Sequence, residues 1–350
     1  MISARGVARA AVVAAMVLLA AGTVQADITI ETVPVGNTGN TGEGSGDSYG
    51  GYGLDRICGA VDYDYNIGKY EVTAGQYTAF LNAVAVTDTY GLYSTNMWSN
   101  TYGCKIERTD TGSGYSYSVA TDYANRPVNY VSFWDACRFA NWLHNGQPTG
   151  LQDARTTEDG AYTLNGYNGN GGLGILRNAG WTWAVTSEDE WYKAAYHKND
   201  GDTGNYFDYP TASDSMPSND LTTPDGGNNA NFYQSGWTIG SPYYRTPVGE
   251  FELSESPYDT FDQGGNVWEW NEGIVYAGTD WSYRGLRGGS FKYDSGSLHA
   301  HAAGRDGNDP SYEGYYGFGF RVSEVPEPAT MSLLALAGLG MLMRRRGVRR

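Results

Sequence analysis

The sequence predicts an α+β fold that is rich in loops and poor in regular secondary structure. Three observations carry that expectation. Glycine and tyrosine are abundant, at 49 and 29 of 350 residues. Long alternating apolar runs are few, so the composition describes loops pinned by aromatic packing rather than a helical bundle. Short extended stretches also lead directly into helices that carry their own capping residues.

Taken in order, residues 1–26 read as an export signal. Arg5 and Arg9 precede the apolar run Ala10 to Ala21, and Val24-Gln25-Ala26 places small residues around a cleavage point. The mature chain is therefore expected to begin at Asp27. The alternative is an uncleaved membrane anchor, for which the apolar core is short. Residues 27–60 follow as a flexible N-terminal leader, with Gly, Asn, Thr and Ser concentrated at 36–53.

One domain is expected over residues 61–323. Tyr65 to Val72 reads as a strand, and Thr73 caps a helix into which Gln76 reaches back, continuing through Phe80, Leu81 and Val84. Pro127 to Val131 reads as a second strand. Ser132 then caps a helix, with Asp135 three residues on and Phe133, Ala136, Cys137, Ala140 and Leu143 on its buried face. Ser187-Glu188-Asp189-Glu190 opens a third helix that runs to Tyr196. No fixed-period repeat is present.

Residues 324–350 form a separate tail. Val325-Pro326-Glu327-Pro328 is followed by an apolar stretch, Ala329 to Met343, and then by Arg344-Arg345-Arg346. The stretch makes a helix of about 22 Å, short of a hydrocarbon core of about 30 Å. That length suits a transient span with the arginines on the cytoplasmic side. The tail resembles the PEP-CTERM sorting signal, which implies exosortase-type sorting machinery as a partner. Before processing, the C-terminal helix would be the membrane contact. The expected location is the cell surface or extracellular matrix.

From Asp27 to Val325 the chain carries 16 basic and 38 acidic residues, a net charge near −22. Such a surface repels nucleic acid and anionic lipid and favours divalent cations. Of the three cysteines, Cys137 sits in an apolar helical pattern and reads as a core filler, whereas Cys58 and Cys104 lie in loop-like sequence and could pair in an oxidising compartment, their proximity not being set by the sequence. No CxxC is present, so a zinc or redox site of that type is excluded.

Four separated segments, in order, resemble the formylglycine-generating-enzyme, or sulfatase-modifying-factor, family. They are Ile67-Gly68-Lys69-Tyr70-Glu71-Val72-Thr73, Pro127-Val128-Asn129-Tyr130-Val131-Ser132, Thr186-Ser187-Glu188-Asp189-Glu190-Trp191, and a last region. That region joins Gly264-Gly265-Asn266-Val267-Trp268-Glu269-Trp270 to Arg287-Gly288-Gly289-Ser290 and Gly319-Phe320-Arg321. The resemblance implies a single C-type lectin-like domain. It also implies oxidation of a sulfatase cysteine by a copper-binding cysteine pair, three and eight residues after Arg-Gly-Gly-Ser. Here those positions are Tyr293 and Leu298, and no cysteine lies beyond Cys137. Soft Cu(I) needs thiolates, so copper is not expected. A three-histidine iron branch of the fold is poorly matched by His144, His197, His299 and His301, of which the last two would share a strand face.

By the same resemblance, Asp262-Gln263-Gly264-Gly265-Asn266-Val267-Trp268-Glu269 is a calcium loop. Asp262 and Glu269 would give carboxylate oxygens, and Gly265 and Val267 backbone carbonyls. Calcium wants six to eight hard oxygens, and a glycine-flexible loop with two carboxylates starts such a shell. The bland alternative is a packing corner. A second calcium loop would use Asn231 and the carbonyl of Phe232, but its downstream aspartate is missing near Gly240.

The functional expectation is an exported surface or matrix protein whose domain, lacking the oxidase cysteines, is a non-catalytic binding or structural module stabilised by calcium. Its ligand would be a glycan, polymer or protein, not nucleic acid. The alternative is a family enzyme with altered chemistry in a pocket formed by Ser290, Tyr293, Asp294 and Arg305.

Overall fold

The computed structural model describes residues 27–222, 224–292 and 300–325. In chain order the strands are β1 (Thr32–Val35), β2 (Glu43–Ser45), β3 (Arg56–Cys58), β4 (Tyr65–Gly68), β5 (Ile106–Asp110), β6 (Tyr115–Val119), β7 (Trp183–Val185), β8 (Trp268–Ala277), β9 (Ser282–Arg287), β10 (Asp306–Asn308), β11 (Phe318–Phe320) and β12 (Val322–Glu324). The helices are α1 (Ala74–Val84), the single turn α2 (Asn96–Ser99), α3 (Phe133–His144) and α4 (Glu188–Tyr196). Most of the chain between them is turn and loop, as glycine and tyrosine content suggested.

Three helices begin where their caps are written in the sequence. Thr73 Oγ1 accepts the Gln76 N–H at 3.2 Å while Gln76 Oε1 accepts the Thr73 N–H at 2.9 Å. Ser132 with Asp135, and Ser187 with Glu190, close the same reciprocal pair. Each cap satisfies two orphan donors at the helix start and contributes about 1 kcal/mol.

One antiparallel four-stranded sheet, ordered β1-β4-β12-β7, ties the start of the fold to its end. The other runs β10-β9-β8-β11, with β11 parallel to β8. Between the helices the core is aromatic. Phe139 of α3 meets Phe80 of α1 edge-on at 5.3 Å and Phe320 of β11 at 5.4 Å, while Tyr77 stacks on Phe139 at 6.1 Å. These rings lock two helices to a strand at the far end of the sequence.

Three expectations need correction. Residues 27–60 are not a flexible leader. Val33 and Val35 turn inward on β1, which pairs with β4 from Thr32↔Gly68 to Val35↔Tyr65. Ser45 Oγ also donates to the Ala302 carbonyl at 2.8 Å. Alternation of apolar residues over four positions was enough for an edge strand, and glycine-rich sequence hid it. Pro127 to Val131 is not a strand, because Tyr130 has φ 61° and breaks extension; only an isolated Thr73↔Pro127 bridge forms. The strand expected to reach Val72 ends at Gly68, since Val72 N–H leaves it for the Phe320 carbonyl at 2.9 Å.

The three cysteines are free and buried. Cys58 Sγ accepts from Arg287 Nη2 at 3.2 Å, whereas Cys104 faces the Asn129 carbonyl, so the two are not joined.

Candidate functional site

The 262–269 loop is shaped by left-handed backbone at Asp262 (φ 61°), Gly265 (84°) and Asn266 (53°). Gly265 is required here, because a Cβ would lie 2.3 Å from the Asn231 carbonyl oxygen. Asn266 fastens the loop sideways: its Oδ1 accepts from Asn231 Nδ2 at 3.0 Å and from the Thr246 N–H at 3.2 Å. Strand β8 then carries Glu269 into the interior.

There Glu269 is fully enclosed. Arg321 holds both its oxygens, Nε to Oε2 at 2.5 Å and Nη2 to Oε1 at 2.7 Å, and the Trp191 indole N–H donates to Oε2 at 2.7 Å. Arg321 also donates to the carbonyls of Gly68 and Phe261, so one guanidinium knits three chain segments. Asp262 is half-buried beside this pair, and its Oδ2 accepts the Gly249 N–H at 2.6 Å. Burial pushes the Asp262 carboxyl up to about 6, against the pull of that N–H and of Arg321.

Glu71 joins the cluster, and it is the residue that motif reading missed. It is 1% exposed, and among the described residues neither carboxylate oxygen has a hydrogen-bond partner. Burial, and then the charges of Asp262 and Glu269, hold it well above the usual carboxylate range. An acid between Tyr70 and Val72 in a buried extended stretch was the available signal. Glu71 also lines an open cleft of about 610 Å³, bounded by Ile28, Thr29, Tyr70, Gln76 and Val248.

In charge, this cluster fits a cation: two buried acids, Glu71 and Glu269, and the half-buried Asp262 surround one arginine. In geometry it fits in part. Asp262 and Glu71 retain acceptor capacity, whereas the oxygens of Glu269 already carry three donors. Among the described residues no three His, Cys, Asp or Glu side chains converge as metal ligands, so a cation would depend on two carboxylates and on carbonyls such as those of Gly265 and Val267. The other expected loop is closed on itself. Asn231 Nδ2 donates to the Tyr244 carbonyl, and the Phe232 carbonyl accepts Thr238 Oγ1 at 2.9 Å and Asn219 Nδ2 at 3.2 Å.

The residues of the second expected pocket part company. Ser290 is buried against Gly317, its hydroxyl without a hydrogen-bond partner among the described residues. Arg305 turns elsewhere, onto Glu188 at 2.7 and 2.8 Å. Tyr293 and Asp294, like Leu298 and His299, lie outside the described residues. His301 packs edge-on against Tyr209, and its Nδ1 accepts the Ala303 N–H at 3.0 Å.

Near Ser290 the chain gathers rings instead. Tyr102 contacts Tyr244 at 4.8 Å, Tyr316 at 5.0 Å and Phe291 at 5.7 Å, and Trp237 joins Tyr244 at 5.1 Å. Lys292 Nζ lies 4.3 Å from the Tyr316 ring centre. Beneath them Arg245 is fully buried, with Nε and Nη2 unpartnered among the described residues, and burial pushes it down to about 10. Half-exposed rings over a buried cation suit the binding of a ligand that offers apolar faces and oxygen acceptors. The thiols do not contribute: burial pushes Cys58 up to about 11 and raises Cys104 and Cys137 as well.

Comparison with known proteins agrees with this architecture. The model of the sulfatase-modifying factor enzyme 1-like domain matches residues 6–324, and that of the PEP-CTERM protein-sorting motif matches residues 324–346. Among solved structures, CarF superposes with a TM-score of 0.51 at 20% identity, covering 85% of this chain and 99% of that one. Treponema denticola variable protein 1 gives 0.50 at 16% identity, covering 84% and 95%. These likenesses show the fold, a loop-rich α+β domain of the C-type lectin-like, formylglycine-generating-enzyme type. No curated protein matches the sequence.

Proposed function

We propose that the chain, which belongs to the sulfatase-modifying factor enzyme 1-like family, is an exported surface protein whose domain binds a ligand without catalysing the family's oxidation. Its C-terminal PEP-CTERM motif supports export across the membrane and recognition by exosortase sorting machinery. Transient anchoring by the segment 329–343, which lies outside the described residues, is part of the proposal; among the described residues no helix is long and apolar enough to cross a membrane.

The observation that carries the reading is the fate of the thiols. Oxidation of a cysteine through copper needs a thiolate pair. Cys58, Cys104 and Cys137 are separately buried and raised, and the sequence positions that the family uses hold Tyr293 and Leu298. The aromatic cluster around Tyr102, Trp237 and Tyr244 then supplies contact area at low entropic cost. A glycan array probed with the mature chain should give selective binding that weakens at least tenfold in Trp237→Ala. Copper-dependent conversion of a sulfatase peptide's cysteine would overturn the reading.

A second reading, altered chemistry at Ser290, is favoured by one observation only, the unpartnered buried hydroxyl. Calcium is the proposed stabilising ion. Asp262 and the carbonyls of Gly265 and Val267 would hold it, Glu71 would lend charge, and Glu269 would position Arg321 and Trp191 around the loop. When bound, the ion supplies positive charge to the acid cluster and no redox chemistry.

A further inference from the structure

A smaller cavity, about 280 Å³, opens at the start of α3 and is bounded by Tyr90, Trp134, Asp135, Asn168, Ser311 and Glu313. Its polar groups can be accounted for one by one. The Trp134 indole N–H donates to the Gly169 carbonyl at 2.9 Å. Asn168 spends its oxygen on Arg138 Nη1 at 2.6 Å and its amide on the Tyr90 carbonyl at 3.0 Å. Ser311 Oγ donates to Asn170 at 2.6 Å and to Asp309 at 2.9 Å. Asp135 is 3% exposed, and both hydrogen bonds to its carboxylate land on Oδ2, from the Ser132 N–H at 2.8 Å and Ser132 Oγ at 2.7 Å. Glu313 makes no hydrogen bond or ion pair with the described residues. What the cavity offers a visitor is therefore carboxylate acceptors set between two aromatic walls.

The charge is unbalanced. Glu313 faces Asp135 of α3 and Asp88 of the loop after α1. The nearby cations are committed, Arg138 to Glu158 at 2.7 and 3.1 Å and Arg108 to Asp88 at 3.2 Å. An anionic ligand would be repelled. A bare calcium ion would find too few oxygens, since it needs six to eight and the hydroxyls and amide here are spent. A group with several N–H donors, one positive charge and an apolar body meets all three conditions. At about 30 Å³ per water-sized unit, the space takes a ligand of roughly ten heavy atoms.

We propose that this cavity binds an organic ammonium ligand of single-ring size, with Asp135 and Glu313 accepting its N–H bonds and Tyr90 and Trp134 flanking its carbon skeleton. A proton is exchanged on binding. Burial, then Asp135 and Asp88, push Glu313 up to about 8, and burial pushes Asp135 up to about 6, so the empty site holds a proton on Glu313 at neutral pH. An ammonium ion displaces that proton. Affinity should then rise by about tenfold per pH unit between pH 6 and 8 and level off above.

Cyclohexylamine is a suitable probe, because it stays protonated throughout that range, and cyclohexanol is its uncharged counterpart. Calorimetry and saturation-transfer NMR on the mature chain should show the amine binding with proton release and the alcohol not binding. Glu313→Gln should lose at least tenfold in affinity and abolish the proton release, with an unchanged circular dichroism spectrum. Equal binding of cyclohexanol, displacement of the amine by calcium, full affinity in Glu313→Gln, or no amine binding would each overturn the proposal.

Discussion

Around Glu188 three arginines converge on one carboxylate, whereas around Arg321 three carboxyls share one guanidinium. Arg287 reaches Glu188 at 2.7 Å and Arg305 at 2.7 and 2.8 Å, both buried, and Arg56 adds a bond at 2.8 Å from a half-exposed position. Burial works against its ionisation, but the arginines hold the Glu188 carboxyl far below the usual range. At the second cluster the balance reverses, and burial wins at Asp262 and Glu71. Both clusters cross-link distant segments. In the first, both carboxylate oxygens are occupied and positive charge is in excess, so it has no capacity for a cation. The second is short of positive charge, which is the physical ground for placing a cation there rather than at Glu188.

The largest effect expected from this contrast is at the arginine-rich cluster. Glu188→Gln leaves two buried guanidiniums without a counter-charge, and should cost about 3–5 kcal/mol. Urea denaturation of the two chains measures it. A loss under 1 kcal/mol would mean that water or main-chain carbonyls satisfy Arg287 and Arg305 without the glutamate. The same residue sets an acid limb. Because its folded value lies below the ordinary 4.5, its stabilisation is present above pH 4.5 and is lost as pH falls. Wild-type stability should drop between pH 5 and pH 3, and the Glu188→Gln variant should show a shallower drop over that interval.

Calcium should act only on the acid-rich cluster. Ion at a hundred times its dissociation constant adds about 2.7 kcal/mol, a rise of several degrees in melting temperature for a domain of this size. Asp262→Asn should remove most of that rise, and Glu71→Gln part of it. Calcium should leave the Glu188→Gln defect in place. Superimposable melting curves with calcium and with chelator would break the contrast, leaving Glu71 as a protonated buried acid with no ionic role.

How far these clusters could be read from sequence depends on the range of the interactions. The caps at Thr73, Ser132 and Ser187 are local, written within four residues, and each opens its helix as expected. The arginine convergence on Glu188 is not local: Arg56, Arg287 and Arg305 lie 132, 99 and 117 positions away, and no spacing rule connects them. Glu71 was visible as an acid in an apolar stretch, but its lack of a partner is a property of packing. The irregular path at 127–131 turns on the left-handed Tyr130, a conformation that tyrosine does not advertise. Ser290 and Arg305 were joined by motif proximity alone, and the hub at Glu188 took the arginine away.

The smallest effect concerns the first turn of α4. Ser187 caps it, but the next three residues are also anchored, Glu188 and Asp189 to Arg56 at 2.8 and 2.5 Å and Glu190 to Arg177 at 2.6 Å. The first turn of α1 has no acidic residue and relies on Thr73 and Gln76. Thr73→Ala should therefore cost about 1 kcal/mol, while Ser187→Ala should cost about half as much, because ion pairs hold the turn after the cap is lost. Urea denaturation of the two variants side by side tests the ordering. Equal losses would show that the arginines fix the glutamate side chains without fixing the helix start, and would confine the work of the Glu188 cluster to cross-linking.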